Sequence, residues 1–139
     1  MSDIEIYIDG RSYAEKGSGF GVVLISPNNK WIRSFAYGKN SVNKSDLLAL
    51  KLAFLSVCDL NNNIIVNTKN DYIINIFKKN DDGQYVQNPS SNIELINEIR
   101  QLFIGINISF KKSDGDLAKV CKDIAIDAIK KEILVDIRR

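Results

Sequence analysis

Apolar and polar residues alternate strictly at the start of this chain. The apolar positions are Ile4, Ile6 and Ile8, and Glu5, Tyr7 and Asp9 lie between and after them. A period of two residues predicts a β-strand with one buried face, and it puts Asp9 at the exit of that strand. A glycine-rich turn over residues 17–21 then leads into a second predicted strand, residues 20–25. Turn-forming residues at 27–29 precede a third strand, residues 30–37, which predicts an antiparallel meander.

The spacing of apolar residues changes beyond residue 45. Apolar positions from 47 to 57 have helical spacing, with Ser45 as the predicted N-cap and Asp46 at the start of the helix. The later predictions are a buried strand over 64–66, helices over 72–77 and 92–103, a strand over 104–110 and a helix over 116–135. The order β-β-β-α-β-α-α-β-α predicts an α/β fold, in which helices flank a five-stranded mixed sheet.

The composition is that of a single folded domain spanning residues 1–139. Of the 139 residues 45% are hydrophobic and 26% are charged, which is ordinary for a domain that buries its own core. No apolar run approaches the roughly 18 residues of a membrane span, and residues 1–7 do not resemble a signal peptide. The two cysteines, Cys58 and Cys121, fall in predicted apolar helix faces. We therefore expect reduced core thiols, an intracellular location and no membrane partner.

The absence of histidine narrows the chemistry more than any other feature of the composition. Without histidine, a Ser-His-Asp triad, a Cys-His nucleophile and histidine-bound zinc are all excluded. Any bound metal must be held by oxygen ligands, which favours Mg²⁺, Mn²⁺ or Ca²⁺. The net charge is only +2, but basic pairs occur at residues 78–79, 111–112, 130–131 and 138–139. Such pairs are typical either of solvated element ends or of a surface that contacts phosphates.

Six short segments, in order along the chain, resemble the ribonuclease H type 1 family and the RNase H domains of reverse transcriptases. They are residues 6–10 (Ile-Tyr-Ile-Asp-Gly), 19–23 (Gly-Phe-Gly-Val-Val), 43–50 (Asn-Lys-Ser-Asp-Leu-Leu-Ala-Leu), 68–74 (Thr-Lys-Asn-Asp-Tyr-Ile-Ile), 83–95, and 122–125 (Lys-Asp-Ile-Ala). Each match is weak alone, but their order gives a resemblance that covers nearly the whole chain. The resemblance implies an RNase H-like fold.

The resemblance also implies a two-metal chemistry. In that family two Mg²⁺ or Mn²⁺ ions, about 3.5–4 Å apart, bracket the scissile phosphate of an RNA–DNA hybrid and are held by carboxylates. By this resemblance Asp9 bridges the two ions, Asp46 binds one of them, and Asp123 binds the other. The chain would then be a hybrid endonuclease with a divalent-metal cofactor.

Three positions depart from the pattern of that family. Asp46 stands where the family has glutamate, and Ser113 stands where many members have histidine. Lys69 stands where a fourth aspartate is expected. An ammonium group about 4 Å from a divalent ion costs on the order of 8 kcal/mol at an effective dielectric constant near 20. Asp71 is either an improvised fourth ligand or a residue that stabilises the first turn of a helix.

The sequence leaves two functional hypotheses. In the first, the chain is a degenerate RNase H-like module with an impaired metal site and no cofactor, which binds an RNA–DNA hybrid or a related duplex. Its predicted nucleic-acid contacts are Lys69, Asn43, Lys44, Lys112 and Ser113. In the second, the chain is an active Mg²⁺- or Mn²⁺-dependent endoribonuclease with catalytic residues Asp9, Asp46, Asp123 and Asp71. A protein partner such as a polymerase fits either hypothesis, and the charge of Lys69 favours the first.

Overall fold

The structure is a computed structural model of the full chain. It describes residues 3–13, 17–26, 29–36, 40–57, 63–113 and 115–130. Cys58 and residues 131–135 of the predicted last helix lie outside these described residues. Within the described part of the chain, no helix is long and apolar enough to cross a membrane.

The strands form a five-stranded mixed sheet in the order β3-β2-β1-β4-β5. The strands are β1 (Asp3–Tyr13), β2 (Gly17–Ser26), β3 (Asn29–Ala36), β4 (Asn63–Thr68) and β5 (Ile108–Lys112). The first three are antiparallel neighbours, and β4 runs parallel to both β1 and β5. The helices are α1 (Val42–Leu55), α2 (Asp71–Ile76), α3 (Ile93–Leu102) and α4 (Asp116–Lys130). The predicted element order and the predicted five-stranded mixed sheet are confirmed.

The two faces of β1 meet different helices, because successive side chains of a strand point to opposite faces. A Cβ added to Gly10 would lie 2.7 Å from the backbone nitrogen of Asp46, so α1 covers that face. The same face carries the apolar alternation of β1, which is buried in the main core. Asp9 lies on the other face, opposite Gly21 of β2 in the antiparallel register. Helix α4 covers this second face.

Gly21 allows α4 to lie directly on the sheet. A Cβ added at Gly21 would overlap the carbonyl oxygen of Cys121 and would lie 2.5 Å from Cγ1 of Ile124. Cys121 is fully buried there, and its thiol donates to the Tyr7 carbonyl oxygen over 3.3 Å. The backbone of α4 is therefore held close to the row of the sheet that contains Asp9.

Gly21→Ala is expected to destabilise the protein by about 3 kcal/mol, because the new methyl group has to push α4 off the sheet. Urea unfolding followed by circular dichroism measures the change. Gly115→Ala is the matched control, since a Cβ at Gly115 meets nothing within 4 Å. Equal stability of the two variants would mean that α4 does not pack on β2 as described.

Three boundaries differ from the sequence prediction. Strand β1 continues to Tyr13, so Asp9 lies within the strand and not at its exit. The N-cap of α1 is Ser41, whose side chain accepts from the Lys44 backbone over 3.1 Å. Ser45 is instead a buried residue of the helix, packed against Gly10, and its prediction as N-cap is wrong. Strand β5 begins at Ile108 and not at residue 104, because a turn with φ of 77° at Gly105 follows α3.

Arg100 of α3 holds the long connection between α2 and α3, residues 77–92. Its guanidinium donates to the carbonyl oxygens of Ile76 and Gln87 over 2.6 and 2.9 Å. It also lies over the Tyr85 ring, 4.1 Å from the ring centre. The predicted loop-rich stretch therefore contains ordered anchor points, while residues 81–84 between them are exposed.

Candidate functional site

A cavity of about 210 Å³ lies where β1 and β4 pass the N-terminal part of α1. It contains two of the predicted acids, Asp9 and Asp46. Its other polar side chains are Arg11, Asn43, Thr68, Lys69 and Asn70. Parallel pairing of β1 with β4 brings Lys69, just after the end of β4, beside the acids. The cavity therefore combines residues from three separate segments of the chain.

Asp46 is buried with both of its carboxylate oxygens occupied. Only 3% of the residue is exposed. The Gly10 backbone donates to one oxygen over 2.6 Å, and the side-chain amide of Asn70 donates to the other over 2.7 Å. Short hydrogen bonds of this kind to a carboxylate are strong, and they fix the orientation of Asp46 within the protein.

Burial raises the pKa of Asp46 to about 7, because removal from water disfavours the charged form. The hydrogen bonds from Asn70 and Gly10 oppose this effect, and the nearby charge of Asp9 adds to it. Asp46 is therefore close to half ionised at neutral pH. A metal ion bound by Asp46 would have to displace this proton, since a metal ligand has to be deprotonated.

Asp9 is paired with Arg11, two residues further along the same face of β1. The guanidinium donates to both carboxylate oxygens, over 2.8 Å from Nε and 3.2 Å from the terminal nitrogen. Asp9 is buried, whereas about a third of the Arg11 side chain is exposed. Burial raises the pKa of Asp9, and the charges of Arg11, Lys69 and Lys122 partly oppose that rise. The electrostatic environment of Asp9 thus contains three cations.

Asn70 fixes the position of Lys69. Its side-chain oxygen caps α2 by accepting from the Tyr72 backbone over 3.0 Å, and its amide group donates to both Asn43 and Asp46. Lys69, immediately before it, is exposed and lines the cavity. The predicted residues Asp9, Asp46, Asn43 and Lys69 are thus brought together.

Asp71 faces away from this group. It is paired with Lys112 of β5, with 3.1 Å between the closest atoms, and both side chains are about two thirds exposed. Asp71 is not among the residues that line the cavity. Its position in the first turn of α2 agrees with the helix-stabilising interpretation. The structure gives no support to Asp71 as an improvised metal ligand.

The other predicted contacts, Lys44, Lys112 and Ser113, are not among the residues that line the cavity. Ser113 is half-buried, and its backbone donates to the Thr68 carbonyl oxygen over 3.1 Å. Lys112 is engaged with Asp71, as described above. Lys44 lines a separate surface depression together with Leu48 and Glu98.

Asp123 is exposed on the outer side of α4. Ala118, Cys121 and Ala125 form the buried side of this helix. Each residue advances about 100° around a helix, which puts Asp123 roughly opposite the centre of that buried side. Lys122, half-buried, borders the buried side and acts on the charge of Asp9. The structure therefore does not bring Asp123 to Asp9 and Asp46, and Lys122 lies on that side instead.

The residues of the cavity do not fit a pair of divalent ions. Among the described residues, no group of three or more acids, cysteines or histidines is arranged to hold a metal. The two acids that do meet already accept hydrogen bonds on all four oxygens. The charges of Arg11, Lys69 and Lys122 act on Asp9, and that of Arg11 also acts on Asp46. Three cations and two carboxyl groups give this site a charge of +1, or +2 when Asp46 is protonated. A surplus of positive charge repels Mg²⁺ and attracts anions.

Sequence reasoning missed Arg11, Asn70 and Lys122. A signal for Arg11 was present, because a residue two positions after Asp9 in an alternating strand shares its face. A signal for Lys122 was present in the buried small residues of α4, which set the rotation of that helix. A signal for Asn70 was present in its position directly before Asp71, where the N-cap of a helix is expected.

No family model and no curated protein sequence matches the chain. Solved structures do resemble it. LC11-RNase H1, isolated from compost by a metagenomic approach, is 20% identical with a TM-score of 0.75, and the match covers 95% of this chain and 99% of that one. RNase H1 from the halophilic archaeon Halobacterium salinarum is 17% identical with a TM-score of 0.72, covering 93% and 98%.

The fold is therefore an RNase H-like α/β fold, with the mixed sheet between α1 on one face and α4 on the other. The prototype foamy virus protease-reverse transcriptase also contains it: 98% of this chain matches 21% of that one, at 15% identity and a TM-score of 0.70. LC11-RNase H1 has in addition been solved in complex with an RNA/DNA hybrid. Identities this low show the fold and leave function to the residues of the site.

Proposed function

We propose that this chain is a nucleic-acid-binding module that binds an RNA–DNA hybrid or a related duplex and lacks a working two-metal site. One observation carries the proposal: every oxygen of the two cavity carboxylates accepts a hydrogen bond from the protein itself. Arg11 and Lys69 line the same cavity and supply positive charge. The site thus has the charge of a phosphate-binding surface.

A divalent ion would have to displace several groups before it could bind in this cavity. Mg²⁺ requires oxygen ligands in near-ideal octahedral geometry, and it gives up its own water reluctantly. Binding here would require Arg11 to leave Asp9 and Asp46 to lose its proton. It would also require Lys69 to move away from the cavity. A phosphate group requires neither the loss of the Asp46 proton nor the departure of Lys69, because its negative charge complements the cations already present.

The active endoribonuclease remains the alternative, with Mg²⁺ or Mn²⁺ as cofactor. The observation in its favour is that Asp9 and Asp46 line one cavity, as a two-metal site requires. The proposed binding module, by contrast, uses no metal cofactor. A polymerase partner is a further proposal for either case, supported by a reverse transcriptase in which this fold forms a part of a longer chain.

The proposed module is expected to bind a fluorescently labelled RNA–DNA hybrid in EDTA. Its dissociation constant should change by less than about twofold when Mg²⁺ replaces EDTA at constant ionic strength. Fluorescence anisotropy measures binding, and an end-labelled hybrid in Mg²⁺ and in Mn²⁺ reports cleavage, which should not occur. Cleavage that disappears in the Asp9→Asn variant would overturn the proposal and establish the endoribonuclease.

A further inference from the structure

Asp9 lies on the face of the sheet that α4 covers. Asp9 and Arg11 share this face of β1, and Gly21 lies directly across from Asp9 on β2. The close approach of Cys121 and Ile124 to Gly21 brings α4 over the same row. Residues of α4 that border its buried side are therefore neighbours of the Asp9–Arg11 pair.

Lys122 is a charged residue of α4 that borders the buried side of the helix. It follows Cys121, whose thiol is anchored on Tyr7, and it precedes Ile124, which packs on Gly21. Lys122 is half-buried, in contrast to the exposed Lys119 and Asp123 on the outer side of the helix. Its charge also lowers the pKa of Asp9, in agreement with this placement.

We propose that Arg11, Lys69 and Lys122 form a phosphate-binding site around Asp9, which takes one backbone phosphate of a nucleic-acid duplex without a divalent metal ion. Lys69 approaches from the end of β4, Arg11 from β1 and Lys122 from α4, so the three cations come from separate elements. This inference rests on the proposed function and identifies the group that the site recognises.

Arg11 is already arranged for such a ligand. Its guanidinium presents two parallel donors to the two oxygens of Asp9, and the same pair of donors fits two oxygens of a phosphate. Asp9 therefore competes with the phosphate for Arg11. Lys69 and Lys122 act on Asp9 through their charges.

This competition gives the site a distinctive response to Asp9→Asn. Removing the Asp9 charge releases Arg11 and leaves Asp46 as the one carboxyl group beside the three cations. Hybrid affinity in EDTA should rise about threefold to tenfold. Measured in Mn²⁺ instead of EDTA, a site that held divalent ions would respond in the opposite direction, since Asp9 would then be a ligand.

The main experiment compares Lys122→Gln and Lys69→Gln with wild type in EDTA, using anisotropy of the labelled hybrid over a series of KCl concentrations. Each substitution should weaken binding about fivefold to tenfold and should reduce the slope of log K against log salt by at most about 0.9, the value for one phosphate. Lys119→Gln is the matched control, because Lys119 lies on the exposed side of the same helix. It should change neither quantity measurably. Equal behaviour of Lys122→Gln and Lys119→Gln would overturn the inference.

A second readout separates this inference from the proposed function. Inorganic phosphate is titrated at constant ionic strength in EDTA, and backbone amide NMR signals of Gly10, Lys69 and Lys122 are followed. Shifts in wild type that are lost in Lys122→Gln support the phosphate site even if no hybrid binds, in which case only the proposed function fails. Hybrid binding with no such shifts, and with unaltered affinity in Lys122→Gln, refutes the phosphate site and leaves the proposed function standing.

Discussion

Replacing both Lys69 and Lys122 by aspartate is expected to give this protein a divalent-metal site, which under the proposed function wild type does not have. The double substitution changes the site around Asp9 from three cations and two carboxyl groups to one cation and four carboxyl groups. Repulsion of a divalent ion then becomes attraction, and each substitution also adds two oxygen atoms of the kind that Mg²⁺ and Mn²⁺ prefer. The new acids would lie on either side of Asp9, one at the end of β4 and one on α4.

The measurement is the melting temperature with and without Mn²⁺. At an ion concentration about ten times the dissociation constant, binding to the folded state contributes about 1.4 kcal/mol. For a domain of this size that raises the melting temperature by about 5 °C. The control is the double variant Lys111→Asp and Lys119→Asp, which has the same net charge but alters only exposed residues away from the cavity. A Mn²⁺-dependent rise of similar size in wild type would show that the existing residues already hold a metal.

The free energy of unfolding is expected to fall as the pH rises from about 4 to about 7. Asp46 holds its proton up to a pKa of about 7 in the folded protein, compared with 3.8 in the absence of burial. Between these values the folded state binds more protons than the unfolded state, so the stabilisation is complete below pH 4 and is lost as the pH passes 7. The difference corresponds to at most about 4 kcal/mol. Asp9, whose pKa is also raised by burial, contributes in the same direction.

Urea unfolding between pH 4 and pH 8 tests this pH dependence. Asp46→Asn cannot titrate, so its stability should depend much less on pH than that of wild type. It retains one acceptor oxygen for the two donors at Gly10 and Asn70, and some stability is lost at low pH. Asp123→Asn, on the exposed side of α4, should keep the wild-type profile. A wild-type stability that increases with pH over this range would contradict the protonation of buried Asp46.

Most of the fold could be predicted from the sequence, because apolar residues are spaced differently in its strands and in its helices. The alternation of Ile4, Ile6 and Ile8 corresponds to one buried face of β1, and the leucine-rich pattern corresponds to α1. Boundaries were less predictable, since they depend on local backbone hydrogen bonds. Two serines separated by one turn, at 41 and 45, both suit an N-cap by residue type. Tertiary packing against Gly10 decided that Ser45 is buried within the helix.

The candidate site was predictable only in part. Asp9 and Asp46 meet in one cavity, as the sequence predicted, and Lys69 lies there beside them. The structure differs from the expectation at α4, where residues 122 and 123 differ by about 100° in direction, and the packing of Cys121 and Ala125 sets the rotation. Hydrogen-bond partners across long sequence separations, such as Asn70 with Asp46, have no periodic signal at all.

The contacts of Asn70 limit where residues can be inserted into this chain. Its side chain joins Asn43 and Asp46 on α1 to the start of α2 by hydrogen bonds, and its backbone N–H donates to the side-chain oxygen of Thr68. One residue inserted between β4 and α2 would break these bonds together and would displace Lys69 from the cavity. The exposed turn around Gly83 has no such ties to α1, so insertions there leave the cavity intact. Length variation among sequences of this kind should therefore concentrate between α2 and α3, with the β4–α2 connection constant.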